Sequence, residues 1–340
     1  MLLQVALPVP LYRVFDYSLP ADSSALPHST SAHIPPIGSR VEVSFGRQTL
    51  IGIVIAHIAA ADSDVPLNKL KPINKCLDAE PILDNNMLKL AHWLARYYHY
   101  PLGDVLAVML PTLVRQGKPL DLLITHWRIL PHVSDDDFRA NAKKQKQQFE
   151  MLKLHGEHGA SEDILLLEGM QRSFLKALEE KGLIERYIQN KQAPAPVKLA
   201  TMPLALNEEQ QLAVTAIIAA HEDKQYTGFL LNGITGSGKT EVYLQAMQAV
   251  LEAGKQVLIL VPEIGLTPQT RARFASRFAA HIVLLHSGMN NTHRLQGWQD
   301  CRTGHAQIII GTRSAVLYPF ADLGLIVVDE AHDGSYKQQD

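Results

Sequence analysis

Residues 233–240 read "GITGSGKT", behind the apolar stretch "TGFLLN" (227–232) and ahead of the amphipathic "EVYLQAMQAVLEAG". No other segment limits the fold as tightly. Glycine at Gly233, Gly236 and Gly238 lets backbone N–H groups turn toward an anion. Ile234, Thr235 and Ser237 complete the cradle, Lys239 reaches toward the outer phosphates of a nucleotide, and Thr240 offers a hydroxyl to Mg²⁺. The loop needs a strand before it and a helix after it, so it predicts an α/β module.

The flanking sequence supplies the rest of such a module. "TGFLLN", "QVLILV", "HIVLLH", "AQIIIG" and "LGLIVV" are short runs apolar on both faces, separated by helical stretches, the order that builds a parallel sheet. The last run continues as "LIVVDEAH", which would aim Asp329 at a metal and Glu330 at a water poised against the γ-phosphate. Upstream, "LNEEQQLAV" reads as a helix start capped by Asn207 and Gln210, and the same spacing allows Gln210 to recognise a nucleobase.

Toward the N-terminus, "VEVSFGRQTLIGIVI" alternates polar and apolar residues about a Gly-containing turn, the pattern of a half-buried hairpin. With the opening strand "LQVALPV" it predicts a small barrel or curled sheet. "NNMLKLAHWLARYYHY" then places Leu88, Ala91, Trp93, Leu94 and Tyr98 at helical spacing before Pro101, closing a first domain over 1–105. In 106–190, "KKQKQQFEMLKLH", "SEDILLLEG" and "QRSFLKALEE" read as three helices. Gly182 marks the last helix end before strand-like "LIERYI", an order that fits a winged helix. Residues 191–206, with three prolines in "NKQAPAPVKLATMPLAL" and no periodicity, read as a linker before the α/β module of 207–340.

Composition narrows the setting. A formal net charge of −2 over 340 residues gives no bulk signal for nucleic acid or membrane, so any DNA claim rests on motifs. Cys76 and Cys301 alone make neither a disulfide framework nor a cysteine metal site. No apolar run approaches the ~20 residues that span a bilayer, and the first residues carry no basic leader, so a cytoplasmic protein is expected.

Taken together, these motifs resemble the primosomal replication-restart helicases of superfamily 2. The resemblance runs the length of the chain, which corresponds to about the first half of such a protein. It implies a multidomain fold: a small N-terminal β-rich DNA-binding domain, a winged-helix domain, and a truncated RecA-like parallel α/β motor. By resemblance Gln210 reads adenine, Lys239, Asp329 and Glu330 are catalytic, Thr240 and Asp329 hold Mg²⁺ beside ATP, and His332 couples nucleotide state to DNA. "LVPEIGLTPQT", with Thr267 and Gln269, and "IGTRSA", with Thr312 and Arg313, line a single-strand track. "VALPVPLYRVFDYSLP" looks like a module that captures the 3′-OH end of a nascent strand. There Phe15 would stack on the terminal base, Asp16 accept from the hydroxyl, Gly46 permit close approach and Lys71 pair a phosphate. From the residues alone, Phe15 also reads as a core aromatic and Asp16 as a turn residue, while Arg115 and Lys118 meet either duplex DNA or solvent.

The family's activity is ATP-driven 3′→5′ unwinding at stalled or abandoned forks, leading to primosome assembly. Implied partners are forked and single-stranded DNA with a 3′-OH end, single-strand-binding protein and other primosome-assembly factors, with no membrane and a monomeric state. The family's zinc-binding cysteine cluster and second motor domain have no counterpart in this sequence. That second domain supplies arginines of a kind worth about 10³ to 10⁵ in rate, so the chain is expected to bind DNA and nucleotide without unwinding. Two other readings stay open: a phosphotransferase sharing the phosphate loop, and a DNA-binding scaffold with a vestigial nucleotide site.

Overall fold

The computed structural model describes residues 1–20, 34–120, 125–131, 133, 152, 160–167, 170–188, 196–223, 225–234, 236–262, 265 and 268–337. These divide into two compact units, one formed by 1–120 with 194–340 and the other by 121–193.

The chain opens with β1 (Leu2–Ala6), β2 (Phe15–Ser18), β3 (Arg40–Phe45), β4 (Gln48–Ile58) and β5 (Ile73–Cys76), an antiparallel sheet in the order β2-β1-β4-β3-β5. Phe45 pairs with Gln48, so Gly46 and Arg47 make a two-residue hairpin connection. Gly46 has φ +59°, in the left-handed region such tight turns use. The sheet curls until its outer strands approach, where the Ser18 N–H donates to the Lys71 carbonyl at 3.0 Å and Ser18 bridges Pro72. Leu3, Val5, Tyr17, Val41, Val43, Val54 and Ile73 fill its interior.

Three helices follow: α1 (Asn85–Tyr97), α2 (Leu102–Met109) and α3 (Thr112–Arg115). Asp84 caps α1 by accepting the Met87 N–H at 2.8 Å. The face that α1 buries is Met87, Leu88 and Ala91, while Trp93 and Tyr98, which share the helical spacing, are exposed. The domain limit expected at residue 105 falls inside α2. Its Gly103 lies so close to the residue after β1 that an added Cβ would sit 1.6 Å from the Leu7 carbonyl oxygen. Residues 106–120 therefore pack with the N-terminal sheet.

In the second unit β6 (Thr125–Ile129), β7 (Ala160–Ser161) and β8 (Ile184–Ile188) form an antiparallel sheet in the order β7-β6-β8, with α4 (Glu162–Leu167) and α5 (Arg172–Glu180). Phe174, Leu175 and Leu178 form the anticipated apolar stripe and pack with Trp127, Leu165 and Ile184. Gly182, at φ +66°, ends α5 as expected. The helix anticipated over "KKQKQQFEMLKLH" lies outside the described residues except for Leu152, and β6 was not foreseen.

The stretch read as a linker is partly structured. β9 (Lys198–Leu199) pairs with β11 (Phe278–Ala279). Arg277 donates to the Met202 carbonyl and to Glu241, which also accepts the Leu204 N–H. A two-residue strand is too short for periodicity to register. The module beyond comprises α6 (Glu208–Glu222), α7 (Lys239–Glu252), β10 (Gln256–Leu260), α8 (Pro268–Arg277), β12 (Ile282–Leu285), α9 (Asn291–Arg302), β13 (Ile308–Gly311) and β14 (Leu323–Val328). Its sheet is parallel, in the order β12-β13-β10-β14, with β10 and β13 buried throughout.

"TGFLLN" is not a strand. Residues 227–232 have no ladder partner, and Leu230 is 88% exposed. Its apolar run is suited to a place buried on both faces, but no neighbouring edge among the described residues receives it. The outer edge of β14 is likewise unpaired there, and Ile326 and Val328 on it are exposed.

Candidate nucleotide and nucleic-acid sites

The phosphate-binding loop ends where α7 begins. Gly236 and Gly238 have φ +82° and +83°, a conformation that costs a side-chain-bearing residue about 1 kcal/mol or more. Lys239 folds back so that its ammonium donates to the carbonyls of Gly233 at 2.6 Å and Ile234 at 3.0 Å. An arriving phosphate would take these donors and gain the free N–H groups of the first turn of α7. Thr235 lies outside the described residues.

The capping reading of Gln210 holds. It completes a reciprocal cap with Asn207 at the start of α6, and its amide donates to the Ser237 carbonyl of the loop at 2.9 Å. The contact is close enough that a Cβ on Gly238 would stand 2.4 Å from the amide nitrogen.

Asp329 follows β14, and its N–H donates to the Leu260 carbonyl at the end of β10. Its carboxylate accepts from the Tyr243 hydroxyl at 3.4 Å, and Tyr243 lies one turn after Thr240 on α7. One phenol, on the helix that carries Thr240, thus reaches the Asp329 carboxylate. Burial pushes the Tyr243 pKa up, and the charge of Asp329 adds to that. Tyr243 escaped the sequence reading because an aromatic four residues into a helix looks like core packing. A cavity of about 390 Å³ opens beside it, lined by Asp329, Glu330 and Arg273. Hydroxyl and carboxylate oxygens suit a hard divalent cation, so Thr240 and Asp329 fit Mg²⁺ chemically. Glu330 has φ +49°, and its carboxylate is 3.5 Å from exposed His332.

At the curled sheet, the four residues assigned to the DNA 3′ end come together. Phe15 and Asp16 open β2, Lys71 abuts Ser18 on the same strand, and Gly46 follows Phe45, whose ring meets Phe15 edge-on at 5.0 Å. Phe15 is half-buried, and the Arg13 guanidinium lies 5.0 Å over its ring. Both Asp16 oxygens have donors: Ser63 at 2.6 Å and Gln4 at 3.3 Å. Ser63 and Gln4 carry no motif and were not anticipated.

Of the strand-track residues, Thr267 lies outside the described residues, and so does the side chain of Gln269 on α8. Thr312 follows β13 with only 9% exposure, and the next residue, Arg313, is exposed.

Comparison with known proteins parallels this geometry. The family described as "3'DNA-binding domain (3'BD)" matches residues 4–111, and "DEAD/DEAH box helicase" matches 207–340. Replication restart protein PriA of Haemophilus influenzae is 40% identical over 351 residues, covering 100% of this chain and 45% of that protein. The PriA proteins of Chlamydia pneumoniae and Bacillus subtilis are 32% and 28% identical, each over 96% of this chain and 43% and 48% of their own lengths. The chain thus spans about half the length of the curated relatives it matches. With both domain families in this order and relatives aligned along its whole length, the chain belongs to the PriA family of replication restart proteins.

Proposed function

We propose that this chain is part of an ATP-dependent 3′→5′ DNA helicase. The whole protein recognises stalled or abandoned replication forks by their nascent 3′-OH end and initiates primosome assembly. The observation that most supports this is the Tyr243–Asp329 hydrogen bond, which ties the helix that follows the phosphate loop to the DEAH element in a module joined to a separate 3′-end cluster. The α/β module is read as RecA-like, residues 121–193 as a winged helix, and the protein as a cytoplasmic monomer. Single-strand-binding protein and other primosome-assembly factors are its proposed partners, and a zinc site belongs to the remainder of the whole protein.

The proposed chemistry follows from charge. Lys239 exchanges its two carbonyl contacts for the β- and γ-phosphates, Gln210 holds adenine, and Thr240 and Asp329 hold Mg²⁺. When bound, the metal neutralises charge developing on the transferring phosphoryl group. Glu330 accepts the proton of the attacking water, and His332 beside it passes nucleotide state toward the DNA, which Thr267, Gln269, Thr312 and Arg313 hold by its backbone. At the other site Asp16 accepts from the 3′-OH, Phe15 stacks on the last base, Lys71 pairs a phosphate, and Gly46 leaves room for the sugar.

Two observations favour a second reading, a DNA-binding scaffold with a vestigial nucleotide site: the Lys239 ammonium is satisfied by its own loop, and residues 227–232 form no strand. The test is fluorescence anisotropy on two forks differing only in a 3′-OH or 3′-phosphate, at fixed salt, with and without ATP and Mg²⁺. Tighter binding of the hydroxyl, lost in Asp16→Ala, is expected. A hydrogen bond to a charged group is worth about 1.5–3 kcal/mol, roughly 10- to 100-fold in affinity. Equal binding of both forks would overturn 3′-end capture, and DNA affinity indifferent to nucleotide would favour the scaffold.

A further inference from the structure

A groove of about 1170 Å³ runs between the N-terminal helices and the α/β module, both within the larger unit. Four cations from separate elements line it: Arg115 on α3, Arg294 on α9, Arg313 after β13 and Lys337 near the end of the described chain. Among the described residues, Asp333 is the one carboxylate in the lining. For a chain whose net charge is −2, this is a local concentration of positive potential that composition conceals.

These cations are not spent on other partners. Among the described residues, Arg115 donates only to the Thr112 hydroxyl at 3.1 Å and Arg294 only to the Ser287 carbonyl at 3.0 Å, so most of each guanidinium fork is open. Nor is Arg115 loosely placed. The buried Arg40 guanidinium donates to the carbonyls of Val114 and Lys118, on either side of it, and Val114 is fully buried. The groove also reaches the nucleotide site, because Tyr336 in its wall donates its hydroxyl to the Asp329 carbonyl at 2.8 Å.

We propose that this groove holds the phosphodiester backbone of single-stranded DNA, with Arg115 and Arg294 as phosphate contacts beyond Thr312 and Arg313. The strand track thereby continues from the α/β module onto the N-terminal module. The inference rests on the reading of Thr312 and Arg313 as DNA contacts and adds a second wall to it. Open guanidinium forks brought to one groove from separate elements suit a repeating anion better than a small ligand. Contact with both modules also gives the 3′-end site and the motor one shared strand.

The test uses the 340-residue chain and closed circular single-stranded DNA, which has no 3′ end and so isolates the groove from the Asp16 site. Binding is measured across a salt series. Arg115→Gln and Arg294→Gln are each expected to weaken binding several-fold and to make the log–log salt slope shallower by about 0.7, the value for one phosphate contact on a single strand. Arg115→Lys keeps the charge and should restore the slope. An unchanged slope in Arg115→Gln and Arg294→Gln, with Arg313→Gln shallower, overturns the second wall and leaves the track reading standing. If Arg313→Gln is also unchanged, the track reading fails with it. Closed circular duplex bound more tightly than the single strand, with the same dependence on Arg115, would reassign the groove to duplex and overturn the proposal.

Discussion

Arg40 is 1% exposed, and every nitrogen of its guanidinium donates: two to the Asp78 carboxylate, at 2.9 and 2.7 Å, and the third to the carbonyls of Val114 and Lys118. Removing one partner of such a pair leaves an uncompensated buried charge, which costs about 3–5 kcal/mol. Asp78→Ala should therefore lower unfolding stability by about 3 kcal/mol or more in urea melts. Asp78→Asn, which keeps an acceptor but no charge, should fall between it and the natural chain. A loss under about 1 kcal/mol would mean that the pair does not hold α3. Two phenols make a separate prediction about pH. Burial pushes Tyr318 up to about 12, and Tyr336 stands at about 12 through burial and the charges of Asp329, Asp333 and Glu330. A folded-state pKa above the unfolded value near 10 means that stability is intact below about pH 10 and is lost as pH rises from there through 12. Urea midpoints at pH 9 and 11 should drop for the natural chain and drop less for Tyr318→Phe. Equal drops would place the alkaline sensitivity elsewhere.

At the scale of elements, Gly103 shows packing overriding propensity. Replacing a glycine inside a helix by alanine gains up to about 1 kcal/mol on propensity alone, and Gly103 is the second residue of α2. In α2 the added carbon would lie 1.6 Å from the Leu7 carbonyl, so the helix must move off the sheet, and overpacking of this kind costs about 1–3 kcal/mol or more. Gly103→Ala should be destabilising in urea melts, and a stabilised variant would show that α2 is free to shift. The same contrast explains what the sequence could disclose. The β3–β4 hairpin was legible because one buried face imposes period two, and the phosphate loop because its function is local to eight residues. "TGFLLN" misled because an apolar run records suitability for burial and not the presence of a neighbour. β6, "THWRI", was missed because, among its residues of described burial, only Trp127 is buried. Trp93 and Tyr98 kept helical spacing yet face solvent, and Tyr243, Ser63 and the Arg115–Arg294 groove join residues far apart in sequence.

For the molecule as a whole, the consequence of two compact units is that ligand binding in one need not stabilise the other. The three tryptophans allow a direct reading: Trp298 is buried in the α/β module, Trp127 is buried in the second unit, and Trp93 is exposed on α1. Among the described residues Trp298 has no hydrogen-bond partner for its indole N–H, so phenylalanine there removes packing without orphaning an acceptor. Two variants, Trp93→Phe with Trp127→Phe and Trp93→Phe with Trp298→Phe, leave one buried reporter each. Nucleotide with Mg²⁺ at about 100 times its dissociation constant stabilises the state that binds it by about 2.7 kcal/mol. The transition seen through Trp298 should move up by that amount in denaturant, and the one seen through Trp127 should stay where it is. Equal movement of both would mean that the two cores unfold as one cooperative body. Movement of neither would mean that the Lys239 ammonium keeps its own carbonyls in preference to phosphate.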